Sequence, residues 1–239
     1  MSNAVEIIGL VKEFGDIRAV NGASFVIPKG RIFGLIGPNG AGKTTALRII
    51  STLLQLTSGK VTVFGHDVAE EASEVRKLIS YLPEDAGAYK NLTGRRYLHF
   101  IAEFFGDGEE INEIVQRGVK IADLEERIDD KVDTYSKGMM RRLLVGRALM
   151  IDPKLAILDE PTSGLDVINA QEIRKIIKNS TKRGSSVLLS SHNMLEVEFL
   201  CDTIALINEG KIVEQGDPVE LKEKYNADNI EEVFTGVIQ

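Results

Sequence analysis

The sequence Gly37-Pro38-Asn39-Gly40-Ala41-Gly42-Lys43-Thr44 decides the fold. It fits the pattern G-x-x-x-x-G-K-[ST] at every fixed position, between an apolar run at Arg31–Ile36 and a helical pattern from Lys43 to about Leu53. Glycines in such a loop let backbone N–H groups converge on phosphate oxygens, and the start of the next helix adds the positive end of its dipole. The loop therefore predicts a site for a nucleoside triphosphate between a strand and a helix. A glycine-rich turn that binds nothing is the alternative.

The side chains of this phosphate loop have separate expected roles. Lys43 is expected to bridge the β- and γ-phosphates, and the Thr44 hydroxyl is expected to ligate Mg²⁺. Together with the backbone from Gly37 to Thr45, they form the predicted ATP-binding loop.

Two acids follow a second apolar run, in Leu155-Ala156-Ile157-Leu158-Asp159-Glu160. A continuous apolar run is typical of a strand buried on both faces, and ligands of open α/β sheets lie at the carboxyl ends of strands. Asp159 is expected to hold Mg²⁺ through its water shell, and Glu160 to polarise a water for in-line attack on the γ-phosphorus. Taken alone, the two acids favour the interpretation as an ordinary solvated pair at a strand end. The phosphate loop favours the catalytic interpretation.

A histidine follows a third predicted strand. His192 comes directly after the run Ser186–Ser190 and before a helical pattern. At that place it could donate a hydrogen bond to the γ-phosphate and orient the attacking water. A structural histidine is the alternative interpretation.

Apolar runs and helical patterns alternate along most of the chain, which predicts an α/β fold with a mostly parallel sheet and an antiparallel edge from the early strands. From about residue 93 to residue 150 only helical patterns occur, so this segment is predicted to be a helical insertion. The chain is thus predicted to be a single domain, with a core of residues 1–92 and 151–239 and a helical subdomain of residues 93–150. The predicted strands are Ile7–Val11, Ala23–Ile27, Arg31–Ile36, Val61–Phe64, Ile79–Leu82, Leu155–Leu158, Ser186–Ser190, Thr203–Ile207 and Lys211–Glu214, with turns at Asn21-Gly22 and Asn208-Glu209-Gly210 among others. The predicted helices are Lys43 to about Leu53, Glu70–Leu78, Arg95–Phe105, Glu109–Ala122, Ser136–Met150, Val167–Ser180 and Met194–Cys201.

Composition excludes several classes of protein. The 239 residues carry a formal charge of −7, which argues against a general nucleic-acid binder. The single Cys201 excludes a disulfide framework and a cysteine-based zinc site, and it fits a reducing cytosol. Met1–Leu10 has no secretory pattern, and no run approaches the ~18 apolar residues of a membrane span. The chain is expected to be cytoplasmic and to act on a membrane only through a partner.

The segment Tyr135-Ser136-Lys137-Gly138-Met139 resembles the Leu-Ser-Gly-Gly-Gln signature of ATP-binding cassette (ABC) ATPases. Further segments follow in the order of that family, and the resemblance covers essentially the whole chain. They are Phe14 at the adenine-stacking position, Tyr81-Leu82-Pro83-Glu84 at the Q-loop, Asp159-Glu160-Pro161-Thr162, the D-loop Ser163-Gly164-Leu165-Asp166, and Ser190-Ser191-His192.

The resemblance implies a P-loop NTPase fold and a pair of cassettes packed head to tail. Each ATP would lie between the phosphate loop of one subunit and the signature of the other, made of Ser136, Lys137, Gly138 and Met139, with Asp166 close by in the D-loop. The family's Q-loop position implies that Glu84 joins Thr44 and Asp159 around Mg²⁺. From the residues themselves, Ser136 is a plausible N-cap whose hydroxyl and first-turn N–H groups could form a second anion site. Helix capping alone is the alternative for Ser136.

Three residues depart from the family pattern. Glu84 replaces the usual glutamine, while Lys137 and Met139 replace a glycine and the glutamine of the signature. Lys137 would add positive charge near the partner's γ-phosphate and could offset the charge of Glu84. These departures, and the tail Ile230–Phe234, are similar to those of ABC-2 exporter subunits, which pair with a separate permease.

The resemblance also implies a docking surface for the permease at Asp85–Leu92 and on the face of Arg95–Phe105. Tyr89 and Leu92 are apolar groups in this polar loop, and burial in the core is the alternative for both. An ABC ATPase of the cytosol that acts without a permease, and a regulatory module with little hydrolysis, remain rival functions.

Overall fold

The computed structural model describes residues 3–238, apart from the side chain of Glu196. Over these residues the chain forms ten strands. The strands are β1 (Asn3–Phe14), β2 (Ile17–Pro28), β3 (Ile32–Ile36), β4 (Ser58–Val63), β5 (His66–Asp67), β6 (Ile79–Leu82), β7 (Leu155–Leu158), β8 (Ser186–Ser191), β9 (Thr203–Asn208) and β10 (Lys211–Gly216). The helices are α1 (Lys43–Ile50), α2 (Ala72–Leu78), α3 (Gly94–Ala102), α4 (Glu109–Ala122), α5 (Lys137–Leu149), α6 (Val167–Lys182), α7 (Met194–Val197), α8 (Pro218–Tyr225) and α9 (Ile230–Ile238), with short 3₁₀ turns at Glu125–Asp129 and Val132–Thr134.

The central sheet has six strands in the order β10-β9-β3-β8-β7-β6. All neighbours pair in parallel except β10, which runs antiparallel to β9. Strands β3, β7 and β8 are buried along their whole length, as expected for a sheet covered on both faces. Their carboxyl ends therefore meet at one edge of the sheet, where Ile36 lies opposite Ser191. The predicted α/β fold class is confirmed.

The early strands form a separate antiparallel sheet in the order β2-β1-β4-β5, and β10 supplies the antiparallel edge of the central sheet. The turn predicted at Asn21-Gly22 is wrong, because these residues lie inside β2 and the hairpin turns at Gly15-Asp16 instead. Register shifts interrupt the β1–β2 pairing, and these bulges accommodate residues typical of turns. The Asn21 N–H donates to Gly210 O at 2.8 Å, which joins β2 to the β9–β10 hairpin.

The helical segment packs on the central sheet. Leu98 of α3 and Leu144 of α5 share a hydrophobic core with Leu82 and Ala156 of the sheet. The segment closes on itself where Thr93 forms a β-bridge with Lys131. This packing fixes α5 beside the carboxyl ends of β6 and β7.

Some helix ends differ from the predicted bounds. Helix α1 stops at Ile50 rather than near Leu53, because Thr52 adopts a left-handed φ of 61°. Helix α7 ends at Val197 rather than at Cys201. Among residues 3–238, none of the helices has the length and apolar character that crossing a membrane requires.

Candidate nucleotide-binding site

The phosphate loop joins β3 to α1 at the carboxyl edge of the central sheet. Gly42 precedes α1 with φ 103°, and a Cβ there would lie 2.3 Å from Ala19 O, so only glycine fits. Gly42 has no side chain to cap α1, which leaves the first N–H groups of the helix for an anion. The loop is also tied to the rest of the sheet, since Gly37 N–H donates to Ser191 O at 3.3 Å and Gly210 N–H donates to Ala41 O at 3.0 Å.

Lys43 places a buried cation inside this loop. The residue is 6% exposed, and its Nζ donates to Gly37 O at 2.8 Å and to Pro38 O at 3.1 Å. Burial lowers the pKa of Lys43, although the carboxylates of Glu160 and Asp159 oppose that shift. The ammonium group is therefore held in the loop and balanced by acids at the end of β7.

Asp159 lies at the centre of a hydrogen-bond network. Its Oδ1 accepts from Thr44 Oγ1 at 3.2 Å and from Ser190 Oγ at 2.6 Å, and its Oδ2 accepts from the Tyr81 hydroxyl at 3.3 Å. Burial, aided by Asp159, raises the pKa of Tyr81 to about 12, so this hydroxyl remains a donor at neutral pH. The sequence analysis placed Tyr81 and Ser190 in segments that resemble the family but assigned neither side chain a role. Both lie at the ends of strands neighbouring β7, and strand order is the information that would have identified them.

Glu160 carries a buried carboxylate between two other groups of the site. The residue is 5% exposed; Oε1 lies 3.7 Å from Lys43 Nζ, and Oε2 lies 2.9 Å from His192 Nδ1. Its φ of 48° is left-handed, which is unfavourable for a residue with a side chain. Its N–H donates to Ser190 Oγ at 2.9 Å. The structure thus brings together Lys43, Glu160 and His192, which the sequence placed after three different strands.

A cavity of about 260 Å³ lies beside these groups. Glu84 lines it, and Ser163 Oγ donates to Glu84 Oε1 at 3.4 Å. The Thr44 hydroxyl, Asp159 and Glu84 are hard oxygen donors, which is the donor set that Mg²⁺ prefers. The lining comprises Ala19, Asn39, Gly40, Gly42, Lys43, Thr44, Thr45, Glu84 and Glu160.

The signature segment starts α5 and lies apart from this cavity. Ser136 is the N-cap of α5, as predicted, and its hydroxyl accepts from Met139 N–H at 3.2 Å. Ser136 and Lys137 are exposed, and neither they nor Gly138 and Met139 line the cavity of the phosphate loop as the described residues form it. Part of the second predicted anion site therefore faces outward.

The signature touches the D-loop of the same chain. A Cβ on Gly138 would lie 2.1 Å from Asn169 Oδ1, and a Cβ on Gly164 would lie 2.1 Å from Lys137 Nζ. Asp166 caps α6 by accepting from Asn169 N–H at 2.9 Å, and this bond holds the pKa of Asp166 below its usual range. The Asp166–Asn169 pair thus fixes the surface on which Gly138 packs.

Phe14 lies at the tip of the β1–β2 hairpin, opposite Ile17. Its ring is half exposed and has Lys12 Nζ at 4.9 Å from the centroid. Ala19 of the same hairpin lines the cavity, whereas Phe14 does not. Its predicted contact with adenine stays a prediction.

The predicted docking loop contains one exposed and one packed apolar residue. Tyr89 is 54% exposed and makes edge contacts with the rings of Tyr97 and Phe100 at 6.2 and 5.5 Å. Leu92 packs against the hydrophobic core. Burial thus accounts for Leu92 but not for Tyr89.

Comparisons with known proteins identify the family of the chain. Residues 20–163 match the model of the ABC transporter family. The chain is 37% identical over 222 residues to the linearmycin resistance ATP-binding protein LnrL of Bacillus subtilis, covering 92% of this chain and 71% of the relative. It is 36% identical to the Nod factor export ATP-binding protein I of a Rhizobium strain, covering 98% of this chain and 77% of the relative. A solved dimeric ATP-binding cassette in a post-hydrolysis state, bound to ADP and Pi, superposes with a TM-score of 0.79 at 25% identity, over 89% of this chain and 98% of that one.

Proposed function

Because this chain belongs to the ABC transporter family, we propose that it is the ATP-hydrolysing subunit of an exporter and works as a pair of cassettes on a separate membrane permease. The observation that carries the proposal is the position of Glu160, whose buried carboxylate lies between Lys43 and His192 at the end of β7.

Lys43 and the start of α1 bind the phosphates in this proposal. The ammonium group leaves the carbonyls of Gly37 and Pro38 for the β- and γ-phosphates, and the N–H groups of the loop and of α1 complete the cradle. Thr44, Asp159 and Glu84 would hold Mg²⁺, which when bound neutralises phosphate charge during transfer. Tyr81 and Ser190 keep the Asp159 carboxylate oriented.

Glu160 orients and deprotonates the attacking water. One bond forms between the water oxygen and the γ-phosphorus, the bond to the β-phosphate oxygen breaks, and the water proton passes to the Glu160 carboxylate. His192 Nδ1 donates to Glu160 Oε2 at 2.9 Å. In this proposal the ring turns away from Glu160 and donates from Nδ1 to the γ-phosphate.

A second cassette would complete the nucleotide site. The exposed Ser136 hydroxyl and the start of α5 form an anion site that does not face the chain's own phosphate loop. In the proposed pair, this signature contacts the γ-phosphate held by the other subunit, beside Asp166, and Phe14 stacks on the adenine. Lys137 would then offset the additional charge of Glu84, and a Lys137→Gly variant with unchanged ATP affinity at low salt would contradict this last point.

An exporter role is supported by relatives named for linearmycin resistance and Nod factor export. In this proposal the cassette binds the cytoplasmic face of the membrane through the permease. Residues 93–150 act as the helical subdomain on a core of residues 1–92 and 151–239. The exposed rings of Tyr89, in the loop before α3, and of Phe100 and Phe104 form an aromatic row that suits a docking helix.

The Glu160→Gln variant tests the hydrolytic part of the proposal. ATP turnover is expected to fall by about 100-fold or more, while MgATP still binds and holds a stable dimer. The dimer is measured by light scattering after gel filtration, and the wild-type chain with EDTA is the control. A variant that stays monomeric in saturating MgATP contradicts the paired mechanism, and a variant with wild-type turnover contradicts the role of Glu160.

Co-expression with a permease tests the transport part. We expect the cassette to sediment with membranes when the permease encoded beside it is present. Recovery only from the cytosolic fraction under that condition would favour an ABC ATPase that acts as a regulatory or assembly factor without a permease.

A further inference from the structure

A buried arginine connects the helical segment to the catalytic end of the sheet. Arg141 lies on α5 and is 8% exposed. Its Nη2 donates to the backbone oxygen of Glu160 at 3.1 Å and to the backbone oxygen of Glu84 at 3.3 Å. One guanidinium nitrogen therefore joins α5, the loop after β6 and the second residue after β7.

Arg141 contacts Glu160 at a point where the backbone is strained. Glu160 has a left-handed φ of 48°, so its backbone needs support from its surroundings. Ser190 Oγ accepts from its N–H, and Arg141 donates to its carbonyl oxygen. Both backbone polar groups are thus bound, one from β8 and the other from the helical segment. The direction of the carboxylate depends on this backbone conformation.

Arg141 brings a buried positive charge and an additional N–H donor that bonds to two carbonyl groups do not require. Burial lowers the pKa of its guanidinium, and the nearby acids Glu84, Asp159, Asp85 and Glu160 oppose that shift. Its Nη1 makes no hydrogen bond to any group within residues 3–238. A buried cation with a spare donor is an unfavourable arrangement unless it has a further role.

We propose that Arg141 is a positioning residue for hydrolysis, which fixes the Glu160 backbone and ties it to the Glu84 loop and to α5. The inference rests on the proposed role of Glu160, through which Arg141 acts. A displacement of α5 against the sheet by a few tenths of an ångström would weaken the contacts at 3.1 and 3.3 Å. The position of the helical segment would then determine whether the Glu160 carboxylate faces the nucleotide correctly.

Substitution of Arg141 tests this inference in steady-state ATPase kinetics with the full chain. Arg141→Met removes the donors at similar size and is expected to lower kcat about 10- to 100-fold, because the Glu160 carbonyl loses its partner. KM for ATP and the affinity for MgATP should stay within about 2-fold, since Arg141 does not line the phosphate cavity. Arg141→Lys keeps the charge and should recover part of kcat.

Arg142→Met is the matched control on the same helix. Arg142 Nη1 donates to Asp123 O at 2.8 Å, within the helical segment. We expect this variant to lose a comparable hydrogen bond without a change of kcat beyond about 2-fold.

The inference is overturned if Arg141→Met retains the wild-type kcat, or if kcat, MgATP affinity and thermal stability fall together as in a general loss of structure. Should Arg141→Met not fold, Arg141→Lys decides, since an ammonium group without the planar fork of arginine should still lower kcat by about 3-fold or more at unchanged KM. The Glu160→Gln variant, measured in parallel, separates the two proposals. Wild-type turnover in that variant refutes the proposed function, whereas an inactive Glu160→Gln beside normal Arg141 variants refutes only the role of Arg141.

Discussion

The phosphate loop region and the signature region each contain the start of a helix, but they differ in how their side chains are held. Lys43, Asp159, Glu160 and Ser190 are at most 6% exposed and bind one another. Ser136, at the start of α5, is exposed, and its hydroxyl accepts the helix-capping bond from Met139 N–H. A single chain therefore assembles the polar groups around the phosphate loop, whereas in the proposed pair the signature meets its ligand on the other subunit.

The largest expected difference between the two regions is in ATP affinity, when the buried cation Lys43 is removed. Lys43→Met should weaken the ATP affinity of the monomer by roughly 100-fold, because charge-assisted bonds to two phosphates are lost. Calorimetric titration with MgATP measures this effect. Lys137→Met, which removes the exposed cation of the signature, is the control. The ATP affinity of its monomer should stay within about 2-fold, because Lys137 is proposed to act on the γ-phosphate only across the dimer. Equal losses of ATP affinity in the two variants would mean that both regions contribute equally to nucleotide binding by the monomer.

Two substitutions of Ser136 separate capping from anion binding. Aspartate is as good an N-cap as serine, so Ser136→Asp should keep the melting temperature but lower ATP turnover about 10-fold, through repulsion of the γ-phosphate across the dimer. Ser136→Ala should lower helix stability by ~1 kcal/mol through loss of the cap. Thermal unfolding and turnover are measured on both variants. Normal turnover of Ser136→Asp would leave helix capping as the role of Ser136.

A smaller effect is expected when the packing of the signature beside the D-loop is disturbed at Gly138. Gly138→Ala should destabilise the chain by about 1–3 kcal/mol, because the new methyl group meets the Asn169 amide that Asp166 holds. Urea unfolding measures the change. Gly236→Ala in α9 is the control, because its Cβ would meet no atom within 4 Å. That variant should be neutral or gain up to ~1 kcal/mol. A neutral Gly138→Ala would show that α5 and α6 are loosely coupled here.

The smallest expected effect is the change of stability on substituting Glu214, which lies outside both regions and serves as a reference for them. Burial alone would raise the pKa of Glu214, but hydrogen bonds from Lys224 and Tyr225 outweigh it and hold the pKa below its usual range. The stabilisation is therefore present above the pKa of the unfolded chain and disappears as pH falls through the lower folded value. Glu214→Gln should lower stability by less than about 1 kcal/mol at pH 7, and the difference should vanish in acid. ATP turnover should not change, and a large loss would mean that α8 influences the site.

The sequence contained the individual components of the buried half-site but not their assembly. The run Leu155–Leu158 and the bounds of α4 are as predicted, because apolar runs and amphipathic periods are local signals. The segments that contain Tyr81 and Ser190 did not reveal what these side chains bind, and Arg141 belongs to none of the quoted segments. Their contacts arise because β6 and β8 flank β7 and α5 crosses the ends of these strands, and such neighbourhoods depend on the tertiary fold.

The wrong prediction of a turn at Asn21-Gly22 also arose because the outcome depends on the tertiary fold. Asn-Gly is a strong local turn signal, but here the dipeptide lies in a bulged strand whose neighbour, the β9–β10 hairpin, is distant in sequence. For the signature, the predicted N-cap was correct because capping is also a local property.

The bond from Gly210 N–H to Ala41 O has a consequence for synthesis on the ribosome. The loop is translated before Ser191 and Gly210, so its ties to these residues can form only after both have emerged. At ordinary elongation rates this delay is about 10–30 s. Until then the carbonyl of Ala41 lacks the N–H of Gly210, and the loop is held by fewer contacts than in the folded chain.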